Sequence, residues 1–577
     1  MTTNFAITTM RACWHELYGY NSDILLDDFL AETDKIKGEL HFAPHNPGWY
    51  KDAIVYSLYV DLFNGTFDGL IQKLDYLQQL GVSCLWLLPI LDSPMRDAGF
   101  DIRNYKSIRS NLLGLPNDAP DATKQVAFSH FLKEAHKRNI QVIFDIALNH
   151  TSEEHLWFQE SRKSPDNPYR DYYIWNRDTE KYKETRLLFK GMCPSNWEKD
   201  GDWFYFHRFF EFQPDLNYRN PKVLLEISSI LTFWLSQGVD GFRADAIPYI
   251  WKEDGSNCEN LPQTHIIIRF IRALFEYIRT ETLLLAEACQ PPVEVVKYFG
   301  TGDECHAGYH FPLMPQIFKA LAIKSSLPIR QILQPSVTPV IDETNQWFIF
   351  LRLHDELTLE MVTPEDRRII YAHYCRDPRW DFRMGEGISA RVADLLDRDP
   401  QKIGLAYSIM LSLPGTPVIY YGDEFGKVND EDYYYEMKTF TGKDDSRFLV
   451  RGRIDWQLVT LDLAKKNSFA SAVNSRIKQM LHARKKNIAF SRGYIEWLNL
   501  RKVDGTQAEQ VLSYIRTLFD DKIMVIHNIS DLPVILQIPT ELIIAPGIEI
   551  LVNSINYQQD SNVLHLPAWG YAWIKLL

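Results

Sequence analysis

Eight short β-rich runs recur through the first three quarters of the chain, at residues 53–60, 84–90, 142–148, 241–246, 283–288, 305–311, 348–354 and 418–421. Longer stretches with apolar residues at three- and four-residue spacing lie between several of them, clearest at 67–80 and 124–138. A strand, a polar loop and a helix in repetition is the pattern of βα units on a parallel sheet, and eight units fit a closed (β/α)8 TIM barrel. An open, doubly wound sheet alternates in the same way, so periodicity alone does not choose between them.

The polar residues do. A barrel carries its site at the C-terminal ends of its strands, and here charge sharpens where each run stops. Asp101 follows the second run, Asp145 and then Asn149-His150 close the third, Arg243 and Asp245 end the fourth, Glu287 ends the fifth, and His354-Asp355 end the seventh.

The rhythm breaks at 151–212, a loop-rich stretch of Trp, Tyr, Pro and charge too long for an ordinary barrel loop. We read it as an inserted subdomain, with the barrel in 49–150 and 213–487. Residues 427–456 form another long polar and aromatic loop, and a basic helix follows over 471–486. Short β-like runs at 510–515, 522–527 and 534–538, with a Pro-Gly turn signal in Ala545-Pro546-Gly547, make 488–577 an all-β domain. Residues 1–48 form an extension in which 25–30 and 36–40 suggest one or two short helices.

A net charge of −13 argues against a nucleic-acid groove. No apolar run approaches the ~18 residues of a membrane helix. The seven cysteines are odd in number and scattered, without a CxxC pair, which suggests neither a disulfide framework nor a zinc site. With no secretory-type N-terminus, the expectation is a cytoplasmic protein. Fifteen Trp and 29 Tyr offer flat faces with polar edges that suit sugar rings, although ordinary core and surface roles account for most of them.

The hexapeptide Gly241-Phe242-Arg243-Ala244-Asp245-Ala246 places Arg243 and Asp245 on one face of a buried strand. Alone, it reads equally well as a buried ion pair. With Glu287 and Asp355 at other strand ends, it becomes the equipment of retaining glycoside chemistry: one carboxylate attacks the anomeric carbon and a protonated second delivers a proton to the leaving oxygen. Arg243 would hold Asp245 ionised, while the apolar run Leu283-Leu284-Leu285-Ala286 favours protonated Glu287.

Those residues carry a resemblance. Asp145-Ile146-Ala147-Leu148-Asn149-His150, the hexapeptide at 241–246, Ala286-Glu287-Ala288 and His354-Asp355-Glu356 resemble the ordered signature regions of the α-amylase family of glycoside hydrolases. Gly99-Phe100-Asp101-Ile102, Gln213-Pro214-Asp215-Leu216-Asn217 and the run from Gly415 to Glu424 resemble its auxiliary regions. One such segment is weak; seven in order, spanning 49–456, are strong. The resemblance implies a barrel, a domain inserted after the third strand and a C-terminal β-sandwich. It implies nucleophile Asp245, acid/base Glu287 and transition-state stabiliser Asp355, with Asp101, Phe100, His150, Arg243, His354 and Gln213 around the substrate and Arg391 paired with Asp101.

Gln213 to Asn217 resembles the oligo-1,6-glucosidase branch, and the runs 302–315 and 350–363 resemble its trehalose-synthase members. That implies isomerisation of maltose and trehalose, or of a similarly short α-glucoside, with α-glucosidase or amylase-type hydrolysis and transfer to another acceptor as alternatives. The different-class alternative is an inactive sugar-binding relative, against which all three carboxylates stand. The loop 61–68 is shorter and less acidic than the branch's calcium loop, so no metal is expected there, and no cofactor. Leu353 stands where the family usually has Asn, and Asp444-Asp445-Ser446-Arg447-Phe448 replaces a Thr-Pro-Met-Gln-Trp run, so the acceptor side differs. His150 and His354 could be satisfied core histidines; their register with the signature regions favours function. Asp423-Glu424 reads as a hydrogen-bonding corner, Tyr433-Tyr434-Tyr435 as a sugar-contacting rim or a packed aromatic segment, and Trp569-Gly570-Tyr571 as core of the C-terminal domain.

Overall fold

The structure, a computed structural model, describes residues 3–576 apart from 43, 190, 540, 541, 543–547, 555 and 559–561. The turn expected at Ala545-Pro546-Gly547 lies outside the described residues.

Eight parallel strands close into a barrel: β1 (Val55–Leu58), β2 (Cys84–Leu87), β3 (Gln141–Ala147), β4 (Gly241–Asp245), β5 (Leu283–Ala286), β6 (Ala307–Tyr309), β7 (Gln346–Phe350) and β8 (Thr416–Tyr420). Each falls within or within two residues of one expected run, and each neighbours the next in sequence, β8 closing on β1. The strands are buried almost throughout, which is why they read as continuous apolar runs rather than alternating ones. Helices enter them with clear stop and start chemistry. Asn220 caps Pro221–Ser236 ahead of β4, and Pro262 opens Pro262–Ile278 ahead of β5.

Register places side chains that matter. Arg243 pairs with Asp145 on β3 and Leu285 on β5, and Asp245 pairs with Ala147. A Cβ on Gly241 would lie 2.5 Å from the Leu283 carbonyl oxygen, so the glycine lets β4 and β5 approach.

Between β3 and β4 the chain forms helix Leu156–Ser161 and a small antiparallel sheet of Trp175–Asn176, Trp203–Phe206 and Trp197–Asp200. It returns through residues 213–217, where Asp215 bridges His150 and Leu216 N–H donates to the Asn149 carbonyl at 2.8 Å. The tail forms two antiparallel sheets of five and four strands. Strand Val511–Leu518 is buried on both faces: Val511 and Ile515 point into the sandwich, while Leu512 and Tyr514 join the barrel core. Tyr514 and Trp573 tie it to barrel helix Pro400–Ser412 through Ser412 (2.7 Å) and Ser408 (2.9 Å). Tyr571 is buried; Trp569 is half-buried, its carbonyl accepting from Gln401.

The N-terminal segment corrects the sequence reading. Instead of short helices it makes α1 (Thr3–Tyr18) and α2 (Asp23–Glu39), since nothing in 23–37 breaks a helix. Met10, Cys13 and Trp14 of α1 are buried in the main core, with Trp14 against Phe270.

Candidate active site

At the C-terminal ends of the strands lies a cavity with about 140 Å³ open to the centre of a water molecule. Asp245, Glu287 and Asp355 all line it, with Phe100, His150, Arg243 and His354.

Arg243 organises the carboxylates. Its Nη1 donates to Asp145 Oδ1 at 2.8 Å and to Asp245 Oδ1, and its Nη2 lies 3.8 Å from Glu287 Oε1. Asp145 also accepts from Trp86 Nε1 at 2.8 Å, so the guanidinium rests on a fixed support inside the barrel. Burial pushes the Asp245 carboxyl up, and the guanidinium opposes that shift. Ala246, left-handed at φ 60°, turns its N–H to Glu287 Oε2 at 3.0 Å. Burial, helped by the charge of Asp245 and opposed by Arg243, pushes Glu287 up to about 7.

Asp355 is set the opposite way. Burial would raise its carboxyl, but it is drawn well below the carboxylate range by His354 and by two guanidiniums, Arg447 Nη1 at 3.3 Å and Arg451 Nη2 at 3.0 Å. Burial pushes His354 itself down to about 3 although the adjacent Asp355 opposes that shift, so a neutral ring adds little and the lasting pull on Asp355 comes from the two arginines. Three carboxylates in one cavity thus have separated protonation preferences, which suits one proton donor beside ionised partners.

His354 stacks on Phe100, with ring centroids 5.6 Å apart and planes at 20°, and neither of its ring nitrogens has a hydrogen-bond partner. Its Nε2 lies 3.1 Å from Asp355 Oδ2, so the ring is directed at the cavity's own carboxylate. His150 Nδ1 is also unpartnered, while Nε2 lies 3.4 Å from Gln213 Nε2.

Three expectations need correction. Asp101 does not line the cavity; its carboxylate is fully buried in its own loop, accepting from Ser93 Oγ (2.9 Å), Arg96 N (2.9 Å) and Asp97 N (3.2 Å). Arg391 does not pair with Asp101. It bonds Asp423 Oδ1 (3.2 Å) and the Tyr421 carbonyl (2.6 Å), behind the site. Gln213, also expected at the substrate, does not line the cavity; it is buried behind it and donates to Asp97 Oδ2 at 3.0 Å. Asp423 and Glu424 form a buried corner, the latter accepting from Tyr56 and Tyr76 hydroxyls. The 433–435 tyrosines lie on helix Glu431–Thr441, where Tyr434 is buried against Phe448, and none reaches the cavity.

Sequence reasoning missed Asp97 and Arg447, both lining the cavity. Arg447 Nη2 reaches Asp97 Oδ1 at 3.5 Å and Asp445 Oδ2 at 2.6 Å while its Nη1 contacts Asp355, so it joins Asp355 to the second strand's loop. The unusual run Asp444 to Phe448 was its only signal. Glu360 and Arg383, paired at 2.9 Å, also line the cavity and were not read. Among the described residues no group of three or more His, Cys, Asp or Glu side chains could hold a metal.

The profile described as alpha amylase, catalytic domain, matches residues 26–369. A trehalose synthase/amylase of Mycobacterium tuberculosis is 39% identical over 569 residues, covering 92% of this chain and 91% of that protein. A trehalose synthase of Pimelobacter sp. is 38% identical over 580 residues, covering 92% and 96%. Among solved structures, an alpha-amylase from H. orenii superposes with a TM-score of 0.69 at 24% identity, covering 91% of this chain and all of that one.

Proposed function

The chain belongs to the α-amylase family of glycoside hydrolases, and on that premise we propose that it is a retaining α-glucosyl-transferring enzyme of the trehalose-synthase type, interconverting maltose and trehalose. The observation that carries the reading is 38–39% identity to trehalose synthases across 92% of the chain. The cavity supports it, with an arginine-held carboxylate beside one whose proton is retained to about pH 7.

In this reading Asp245 attacks the anomeric carbon while Glu287 gives its proton to the glycosidic oxygen, releasing glucose and leaving a glucosyl ester on Asp245. Arg243 orients Asp245 and keeps it charged. Asp355, held ionised by Arg447 and Arg451, stabilises the cationic anomeric centre, and His150, His354 and Asp97 bind hydroxyls. The retained glucose then turns and attacks through a different hydroxyl. Glu287 takes that hydroxyl's proton as the new C1–O bond forms and the ester bond breaks, returning Asp245 as carboxylate. Isomerisation requires that glucose outcompete water for the ester.

The seven cysteines are all unpaired, which fits a reducing compartment such as the cytoplasm. Incubation of the pure protein with maltose tests the reading: trehalose with little glucose is expected. Glucose alone would leave an α-glucosidase.

A further inference from the structure

Polar side chains reach the cavity from β3, β4 and β5 and again from the segment after β7, where His354 and Asp355 stand, and between them the segments that follow β6 and β7 contribute Phe311, Met314, Phe350 and Leu353. These four form a distinct apolar wall. Phe311 meets Phe350 edge-on at 5.6 Å, and Tyr309 braces Phe350 at the same distance and a near-perpendicular angle. Met314 is 1% exposed, Phe350 4% and Leu353 6%, so the wall is packed and leaves little room to rearrange.

Its place is informative. β6 is hydrogen-bonded to β5, the strand that delivers Glu287. The group that protonates the leaving oxygen must later take a proton from the acceptor, so acceptor oxygens stand beside Glu287 and near this wall. An ordered water needs two to four polar partners, and none of the four wall side chains offers one. A sugar, by contrast, presents an apolar C–H face to such a surface while its hydroxyls meet the carboxylates.

Leu353 is the pivotal member. It stands between buried Arg352 and His354 in Arg352-Leu353-His354-Asp355, the one apolar side chain in a polar run, and a polar residue there would face the same cavity. We propose that Leu353 is a specificity-determining residue that favours a sugar over water as acceptor for the glucosyl ester on Asp245. Both outcomes break the Asp245–C1 ester and form a new C1–O bond, the acceptor's proton passing to Glu287. Leu353 affects only which oxygen is present. The proposal rests on the retaining reading above.

The test compares the parent with Leu353→Asn, which is similar in size and polar, and Leu353→Met, which stays apolar. Each is given isotope-labelled p-nitrophenyl α-glucoside with unlabelled glucose as acceptor. Labelled free glucose reports water and labelled disaccharide reports transfer. The water-to-sugar partition is expected to rise about two- to tenfold in Leu353→Asn, the range one net hydrogen bond represents, and to stay near the parental value in Leu353→Met. An unchanged partition in Leu353→Asn, or an equal rise in both variants, overturns the role of Leu353. The maltose assay fails separately, because a parent that makes no trehalose still yields a partition here. A parent that cleaves neither substrate sinks both readings.

Discussion

Replacing Arg447 by Met keeps most of the side-chain volume and removes the guanidinium that faces Asp355, Asp97 and Asp445. Arg451 remains 3.0 Å from Asp355, so that carboxylate loses one of two cations, whereas buried Asp445 loses its bidentate partner. Breaking a buried ion pair from one side costs about 3–5 kcal/mol, and most of that cost should fall on stability through Asp445. The catalytic share follows from Asp355. A loss of ~3 kcal/mol of transition-state stabilisation corresponds to about 10²-fold in kcat/KM. Steady-state turnover of maltose and a denaturant titration, run on parent, Arg447→Met and Arg447→Lys, separate the two effects. The Lys variant should recover part of the rate, since it restores charge without the planar fork. If Arg447→Met unfolds earlier but keeps kcat/KM within about threefold of the parent, Arg447 is structural and the argument about Asp355 is refuted.

Glu287 must be protonated to act as acid, and its carboxyl lies at about 7, so maltose turnover should decline as pH rises through that value. With α-glucosyl fluoride, whose leaving group needs no proton, the limb should vanish; its persistence would assign it to another group. The acidic limb should lie above the ordinary carboxylate range, because Asp245 is raised and must be ionised to attack. Asp245→Asn should lower turnover about 10⁴-fold or more while calorimetry still detects maltose binding, and turnover near the parental rate would exclude Asp245 as nucleophile. Gly241→Ala should destabilise the fold by about 1–3 kcal/mol, because its Cβ meets the Leu283 backbone; an unchanged unfolding midpoint would show that β4 and β5 yield freely.

The barrel was legible because its strands are buried on both faces and so read as apolar runs, several of which, such as β4 and β5, are punctuated at once by charge. The cavity carboxylates Asp245, Glu287 and Asp355 were legible because each follows an apolar strand run closely in sequence. Loop side chains were not. Asp97 and Asp101 lie four residues apart around Gly99, whose φ of 97° and 2.7 Å approach of a built Cβ to Pro89 demand glycine. That turn brings Asp97 to the cavity and folds Asp101 inward, a choice no spacing rule encodes. Arg447 lies on a short 3-10 turn, Ser446–Val450, without periodic signal, and its role depends on partners at positions 97 and 355. Helix α1 was not read and α2 was read only at 25–30 and 36–40, because their apolar stripes are thin and both are held by packing on the main core.

Both guanidiniums that contact Asp355 come from beyond β8, so a nascent chain can complete all eight strands before that carboxylate has either of its two contacting arginines. Emergence of residues 445–451 is then the step that completes the charge balance of the cavity. The same order makes residues 427–455 a natural cassette: exchanged whole between relatives, it would change the electrostatics of Asp355 without cutting a barrel strand.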